Sequence, residues 1–329
     1  MVEDFSEPDG YFRSDNFLSN EAGFQSVIPK VKDHVKPGGV YLGVGPEQNF
    51  TYVLSFEPKL SFIIDIRRQN MLEHLLYKGL FELSTSRADF VSRLFSRERP
   101  KGPRSLDETS SVAEIFEGYR GLPPDRNLFE RTLTQVLDHL LLRHEFPLTH
   151  HDQDQIRYVY NAFFQDGPNL SYTFRDTYYQ GTLGMPTYEE LMKDTDGQHN
   201  WGFLSSEDRF RRLQDIHRKN LIVPLVGDFA GPKTLRAVGQ YLREHDAILS
   251  TFYLSNVETY LFQQDDAWIR FYENVSKIPT NSASTFIRFT ASRGTASHLN
   301  QMWSPIHEIL AAVRARKIDD YTGVIELSY

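Results

Sequence analysis

The sequence contains no cysteine, which removes disulfides, thiolate chemistry and cysteine-ligated zinc or iron–sulfur centres from consideration. It lacks any apolar run long enough to span a bilayer. Its opening residues, MVEDFSEPDG, are acidic and carry neither the basic start nor the apolar stretch of a secretion signal. A soluble, cytoplasmic protein is expected. Positive charge is also in deficit: 36 Lys and Arg stand against 44 Asp and Glu, a formal net charge of −8 at pH 7. General nucleic-acid binding rests on neutralising phosphates, so this balance argues against it and leaves only local contacts. Internal repeats and low-complexity segments are absent too. The length of 329 residues suits two average domains, or one α/β domain with a large insertion.

What is present starts at Gly39-Val40-Tyr41-Leu42-Gly43-Val44-Gly45-Pro46-Glu47-Gln48-Asn49-Phe50, followed by Leu60-Ser61-Phe62-Ile63-Ile64-Asp65. A short apolar strand breaks into a G-x-G turn, then a helix start, then a second apolar strand ending in an acid. This is a nucleotide-binding βαβ pattern. Gly43 and Gly45 supply unusual backbone angles and let backbone amides approach a ligand. Pro46 suits the first helical position. Asp65, about 20 residues beyond the glycines, stands where a carboxylate accepts hydrogen bonds from ribose hydroxyls.

Residues 1–20 read as an arm lying on the body, and Phe24, Val27, Ile28 and Val31 as a short helix. A helix over 69–83 carries Leu72, Leu75, Leu76, Leu80 and Leu83 on its apolar face, with Glu73, Lys78 and Glu82 off it. From Ser84 to about Gly202 no strand is evident. Helical stretches appear instead at 88–95, 112–119, 128–142 and 154–164, with a capping box opening at Thr187. The α/β rhythm returns with strands at 221–226, 247–254 and 284–289, helices at 232–245, 267–277 and 305–316, and a last strand near 323–327. Such alternation predicts a doubly wound, mostly parallel α/β sheet.

With these residues in place, the chain resembles the class I S-adenosylmethionine-dependent methyltransferase fold. The runs YLGVGPEQNFTY, FIIDIRRQN, LIVPLVGDFAGP and FYLSNVETYLF are similar to those of an uncharacterised bacterial family with that fold. The resemblance implies one Rossmann-like domain over 1–329, with its core at about 21–83 and 205–329 and a helical insertion at about 84–204. It implies S-adenosylmethionine as cofactor, with Gly43 and Gly45 at its methionine and ribose portion, Asp65 on the ribose and Asp228 at the adenine. Glu47, Asn49 and Phe229 complete the candidate cofactor contacts. Ser255 and Asn256 would face the reacting methyl, with Asn256 positioning a small-molecule acceptor and Glu258 accepting its proton. The chain departs from the family pattern at Tyr41, which stands where an acid is common. It departs again at Pro46-Glu47-Gln48-Asn49, which lacks a further glycine. Glu47 could supply the missing carboxylate from the first turn of the helix.

Two alternatives stay open. One is a nucleotide- or adenosyl-binding regulatory protein that has lost transfer chemistry. The other is an NAD-dependent oxidoreductase, against which Gln48 occupies the third glycine position of the dinucleotide fingerprint. The insertion is expected to cap the strand C-termini. Its excision should spare adenosyl binding, provided the core folds, and abolish turnover. His144, His150, His151 and Asp152 form the densest metal-ligating cluster, yet adjacent histidines cannot easily share one ion, and a solvated loop is the reading. No metal is expected. His74 reads as a surface or edge histidine. The basic run Arg87, Arg93, Arg97, Arg99, Lys101 and Arg104 reads as a solvated face. The rings at Tyr158, Tyr160, Phe163, Phe164, Tyr172, Phe174, Tyr178 and Tyr179 read more as core than as pocket.

Overall fold

The computed structural model describes residues 1–102, 105–172, 185–291 and 299–329. In chain order the elements are α1 (Val2–Phe5), α2 (Ile28–His34), β1 (Val40–Gly43), α3 (Gln48–Phe56), β2 (Leu60–Asp65) and α4 (Arg68–Leu83). A helical block follows: α5 (Arg87–Phe95), α6 (Val112–Tyr119), α7 (Arg126–Asp138), α8 (His150–Asp166) and α9 (Tyr188–Lys193). The chain then resumes with α10 (Glu207–Arg218), β3 (Ile222–Val226), α11 (Thr234–Glu244), β4 (Leu249–Tyr253), α12 (Val257–Leu261), α13 (Ala267–Val275), β5 (Thr285–Ala291), β6 (Leu299–Pro305), α14 (Ile306–Arg314) and α15 (Tyr321–Glu326).

The six strands lie in the order β3-β2-β1-β4-β5-β6, parallel except for β6, which runs antiparallel to β5. This is an α/β, Rossmann-like architecture. Parallel crossovers are right-handed, and the chain steps one way from β1 to β3 and the other way from β3 to β5, so the connecting helices fall on opposite faces. The contacts agree: α2, α3, α4 and α10 form one chain of packed helices, and α1, α11 and α13 form another. β1, β2 and β3 are apolar and buried along almost their whole length, as expected of strands covered on both faces.

One expectation at the far end is corrected. Residues 323–327 are not a strand: Asp320 accepts the Gly323 N–H at 3.0 Å and caps α15, which buries Val324. The last strand is instead Leu299–Pro305, a mixed stretch with no strong β pattern. It is held by pairing with β5 from Thr285↔Pro305 to Ala291↔Leu299. Tyr329 exchanges main-chain hydrogen bonds with Trp303 and covers this edge.

α4 carries the largest correction. Every residue from Asn70 to Phe81 is buried, including Glu73 and Lys78, two of the three positions assigned to a polar face. The cause is tertiary. One side of α4 meets β2 and β3 while α5, α7, α8 and α10 pack around the rest. Phe50 of α3 sits at this junction, 5.4 Å from the His74 ring, 5.2 Å from Tyr77, 5.6 Å from Phe81 and 5.3 Å from His217. His74 is thus a core residue rather than a surface one. Of the basic run, Arg99 and Lys101 are exposed as expected and Arg93 is half-buried, but Arg87 and Arg97 turn inward. Arg87 is buried on Glu207 and on the carbonyls of Leu204, Glu108 and Ser110, while Arg97 binds the carbonyls of Phe95 and Leu122. Arg104 lies outside the described residues. Tyr160, Phe163 and Phe164 are core, and Tyr158 is exposed. Phe174, Tyr178 and Tyr179 lie outside the described residues.

Candidate functional site

Strand order reverses between β1 and β4, and open α/β sheets bind ligands beyond the strand C-termini at such a point. A cavity of about 230 Å³ lies there. Its walls are Val44-Gly45-Pro46 and Gln48 after β1, Asp65-Ile66-Arg67 at the end of β2, Gly227-Asp228-Phe229 after β3, and Ser255-Asn256-Val257 with Tyr260 after β4. The outer wall is the N-terminal arm, through Tyr11, Phe12, Asn16, Ser19 and Asn20.

The turn after β1 is built from side chains beneath it. Gly45 has φ +78°, which explains the glycine. Gly43 is a glycine for a different reason: a Cβ there would lie 2.0 Å from Asn49 Oδ1, the oxygen that accepts the Tyr41 hydroxyl at 2.8 Å. The Asn49 amide nitrogen lies 2.9, 3.1 and 2.8 Å from the carbonyls of Val44, Gly45 and Pro46. His74 Nε2 donates to the Gly45 carbonyl at 2.9 Å, and burial pushes that imidazole down to about 4, so it is neutral. The helix opens at Gln48, two residues later than Pro46 suggests. Gly43 and Asn49 therefore shape the turn from behind, and Gly45 alone of the two glycines faces the cavity.

Glu47 does not reach the cavity either. It is fully buried, both its oxygens lie 3.3 Å from the Ser19 N–H, and burial raises its carboxyl to about 8. At neutral pH it is a protonated acid, not the carboxylate expected there.

At the end of β2, Asp65 lines the cavity but is already engaged. Its Oδ1 accepts the Arg67 N–H at 2.9 Å and Arg67 Nε at 3.1 Å, and its Oδ2 accepts Arg67 Nη2 at 3.2 Å. The same guanidinium bonds the carbonyls of Ser14 and Asp15 and lies over the Phe12 ring at 5.8 Å. After β3, Asp228 lines the cavity while its N–H donates to Glu7 Oε2 at 3.1 Å. Glu7 Oε1 accepts the N–H groups of Lys233 and Thr234 at 2.8 and 2.9 Å, placing an arm carboxylate on the N-terminus of α11.

After β4, Ser255 has φ +51°, an unusual value for a non-glycine residue. Its hydroxyl donates to Glu21 Oε1, which also accepts the Tyr253 hydroxyl at 2.7 Å, while Glu21 Oε2 accepts Gln301 Nε2 at 2.7 Å. Gln48 in turn donates to the Tyr253 hydroxyl at 2.9 Å. Burial holds the Glu21 carboxyl above its usual range, against the pull of these three hydrogen bonds. Asn256 shares the cavity wall. Glu258 does not: it is buried on α12, ion-paired with Arg288 and bonded by the Tyr272 hydroxyl, away from the cavity.

Six predicted residues thus meet on one cavity: Gly45, Asp65, Asp228, Phe229, Ser255 and Asn256. The family described as a domain of unknown function (DUF7790) matches residues 16–116 and 125–317. The chain belongs to the DUF7790 family. The DUF7790 match takes in all six cavity residues, Glu21, Arg67 and most of the helical insertion, whereas Glu7, Tyr11 and Phe12 precede it. Among curated proteins, nothing matches the chain.

Sequence reasoning missed Glu21, Arg67, Glu7 and the arm rings. Arg67 had a local signal, a cation two residues beyond an acid at a strand end. Glu21 had none, since its partners lie more than 200 residues away.

The insertion, expected as a cap, packs instead around α4 in its described part, and none of its described residues lines the cavity. It reaches the arm from the side, where the Tyr158 hydroxyl donates to Asp15 at 3.1 Å, and Asp152 pairs with Arg68 at the start of α4. His150, His151 and Asp152 form the first turn of α8 rather than a loop. Among the described residues, no helix is long and apolar enough to cross a membrane.

Proposed function

We propose that this cavity binds an adenosyl ligand of the S-adenosylmethionine type and that the protein is methyltransferase-like, acting on a small-molecule acceptor. The observation that carries the reading is the convergence of Gly45, Asp65, Asp228 and the Ser255-Asn256 pair, from the ends of four strands, on one cavity at the switch point. At about 230 Å³ the cavity is below the ~300 Å³ lower bound usual for small-molecule sites. An adenosyl ligand would therefore displace part of the arm, where Tyr11 is 79% exposed.

A sulfonium already activates its methyl group, so the protein's task is to align the acceptor and remove one proton. Asn256 is placed to orient the acceptor. Ser255 Oγ can take the acceptor's proton while passing its own to the Glu21 carboxylate, which burial makes a stronger base than an exposed carboxylate. Glu258 is replaced in that role because Arg288 and Tyr272 occupy it.

A second reading, an adenosyl-binding protein without transfer chemistry, draws on the engagement of Asp65 by Arg67. The nicotinamide alternative has less in its favour: Gln48 is buried and bonded to Tyr253, where a dinucleotide site needs a small residue. Calorimetric titration with S-adenosylmethionine, S-adenosylhomocysteine and NAD separates the three. Binding of NAD alone defeats the methyltransferase reading, and silence of all three at millimolar concentration defeats adenosyl binding altogether. Tight binding of both S-adenosyl ligands, with no methyl transfer to any small-molecule acceptor, favours the second reading.

A further inference from the structure

The C-terminal end of α4 carries a side-chain cluster that adenosyl chemistry does not use. Residues His139–Arg143 form a π-helical turn after α7, closed by the His144 N–H donating to the His139 carbonyl at 3.2 Å. On a regular α-helix, side chains five residues apart point about 140° away from one another. The wider turn instead brings both imidazoles to one oxygen. His139 Nε2 lies 2.9 Å and His144 Nε2 3.0 Å from Glu82 Oε2, and the two rings are 5.0 Å apart at 72°. Single π turns inside helices are rare and concentrate at functional sites.

We propose that Glu82, His139 and His144 form a zinc site. Two imidazole nitrogens and a carboxylate oxygen, all within 4.8 Å of one another, are a donor set that zinc accepts. Zinc–ligand bonds of about 2.0–2.1 Å at tetrahedral angles set neighbouring ligand atoms roughly 3.3 Å apart. The hydrogen-bonded atoms therefore need to open by only a few tenths of an ångström. On loading, each imidazole presents its Nε2 lone pair and carries its proton on Nδ1. The histidine side chains keep 9% and 11% of their exposure, so a fourth position is open to water.

Glu82 has the supporting contact that ligating carboxylates usually have. Its other oxygen accepts Lys78 Nζ at 2.5 Å, and Lys78 is held in turn by the His217 carbonyl at 2.6 Å. The Lys78 charge, together with that of Arg143 on the π turn, weakens affinity for a cation, and micromolar binding is expected. The ion would fasten the α7–α8 junction to α4. Glu82 lies about 21 Å along the helix from Arg68, near the cavity end, so this site is independent of the adenosyl reading. His150 and His151, the conspicuous pair in the sequence, take no part in it.

The test uses the full chain, free of any affinity tag and stripped with a chelator. It is titrated with Zn²⁺ against a chromophoric competitor and, separately, with Co²⁺ for its visible spectrum. One zinc per chain is expected, with an intense tetrahedral cobalt spectrum. Affinity should fall by more than the roughly 100-fold that loss of a supporting contact causes in H139A, H144A and E82Q, and stay unchanged in H150A/H151A. Circular dichroism checks each variant, and His144→Asn at its partly exposed position serves if E82Q does not fold. Absence of stoichiometric zinc binding at micromolar concentration overturns the proposal, as does wild-type affinity in folded triad variants.

Discussion

At the scale of single residues, the candidate site is defined less by its charges than by what neutralises them. Asp65 and Arg67 are both buried and paired, so Asp65→Ala removes the anionic partner and leaves a guanidinium on the carbonyls of Ser14 and Asp15 and the Phe12 ring. Breaking a buried pair in this way should lower stability by on the order of 3 kcal/mol, measured by urea unfolding. An unchanged midpoint would mean that the pair is not formed. Glu47 gives a pH signature. Its carboxyl ionises near 4.5 when unfolded and near 8 when folded, so between these values the folded state binds more protons and stability falls as pH rises. Relative to Glu47→Gln, the native protein should lose about 1.4 kcal/mol per pH unit across this window. Parallel curves for the two proteins between about pH 6 and 8 would show that Glu47 is ionised when folded.

At the scale of elements, α4 and the arm carry the site. α4 holds the Gly45 carbonyl through His74, and buries Glu73 beside it with no hydrogen-bond partner for either oxygen among the described residues. Burial raises the Glu73 carboxyl well above its usual range and pushes the neighbouring His74 imidazole down to about 4, both shifts favouring the uncharged form. The arm holds the loop after β3 through Glu7, which caps α11 and bonds the Asp228 N–H. Glu7→Ala should cost about 1 kcal/mol, as loss of a helix cap does, and should speed amide exchange at Lys233 and Thr234. If those amides keep their protection, the cap is supplied by another group. The periodicity of α4 is readable as helix, and the capping residue Thr187 marks a real helix start, its hydroxyl 3.2 Å from the Glu190 N–H. The burial of α4 on every side is not readable, because a polar residue on a leucine-faced helix looks solvated until the layer that covers it is known.

At the scale of the whole molecule, the helical insertion is a structural layer. It covers the outer side of α4, and its Phe90 packs on Phe81 and Phe210 in one aromatic core with Phe50 and Phe203. Replacing residues 84–204 by a short linker would expose that face. The shortened protein should show no cooperative unfolding transition and should self-associate on gel filtration, contrary to a cap that can be removed from a stable core. A monomeric, cooperatively melting deletion variant would restore the cap. The residues themselves determined the strand-helix alternation, the left-handed turn at Gly45 and the placement of Asp65 and Asp228 at strand ends, because backbone preference and hydrophobic period act between neighbours in the chain. Only the tertiary structure decided that Leu299–Pro305 is a strand, that Glu21 stands behind Ser255, that Arg67 occupies Asp65 and that Glu82 meets two histidines. Each of these depends on which distant surface excludes water, and burial of that kind is a property of packing that no local window of sequence contains.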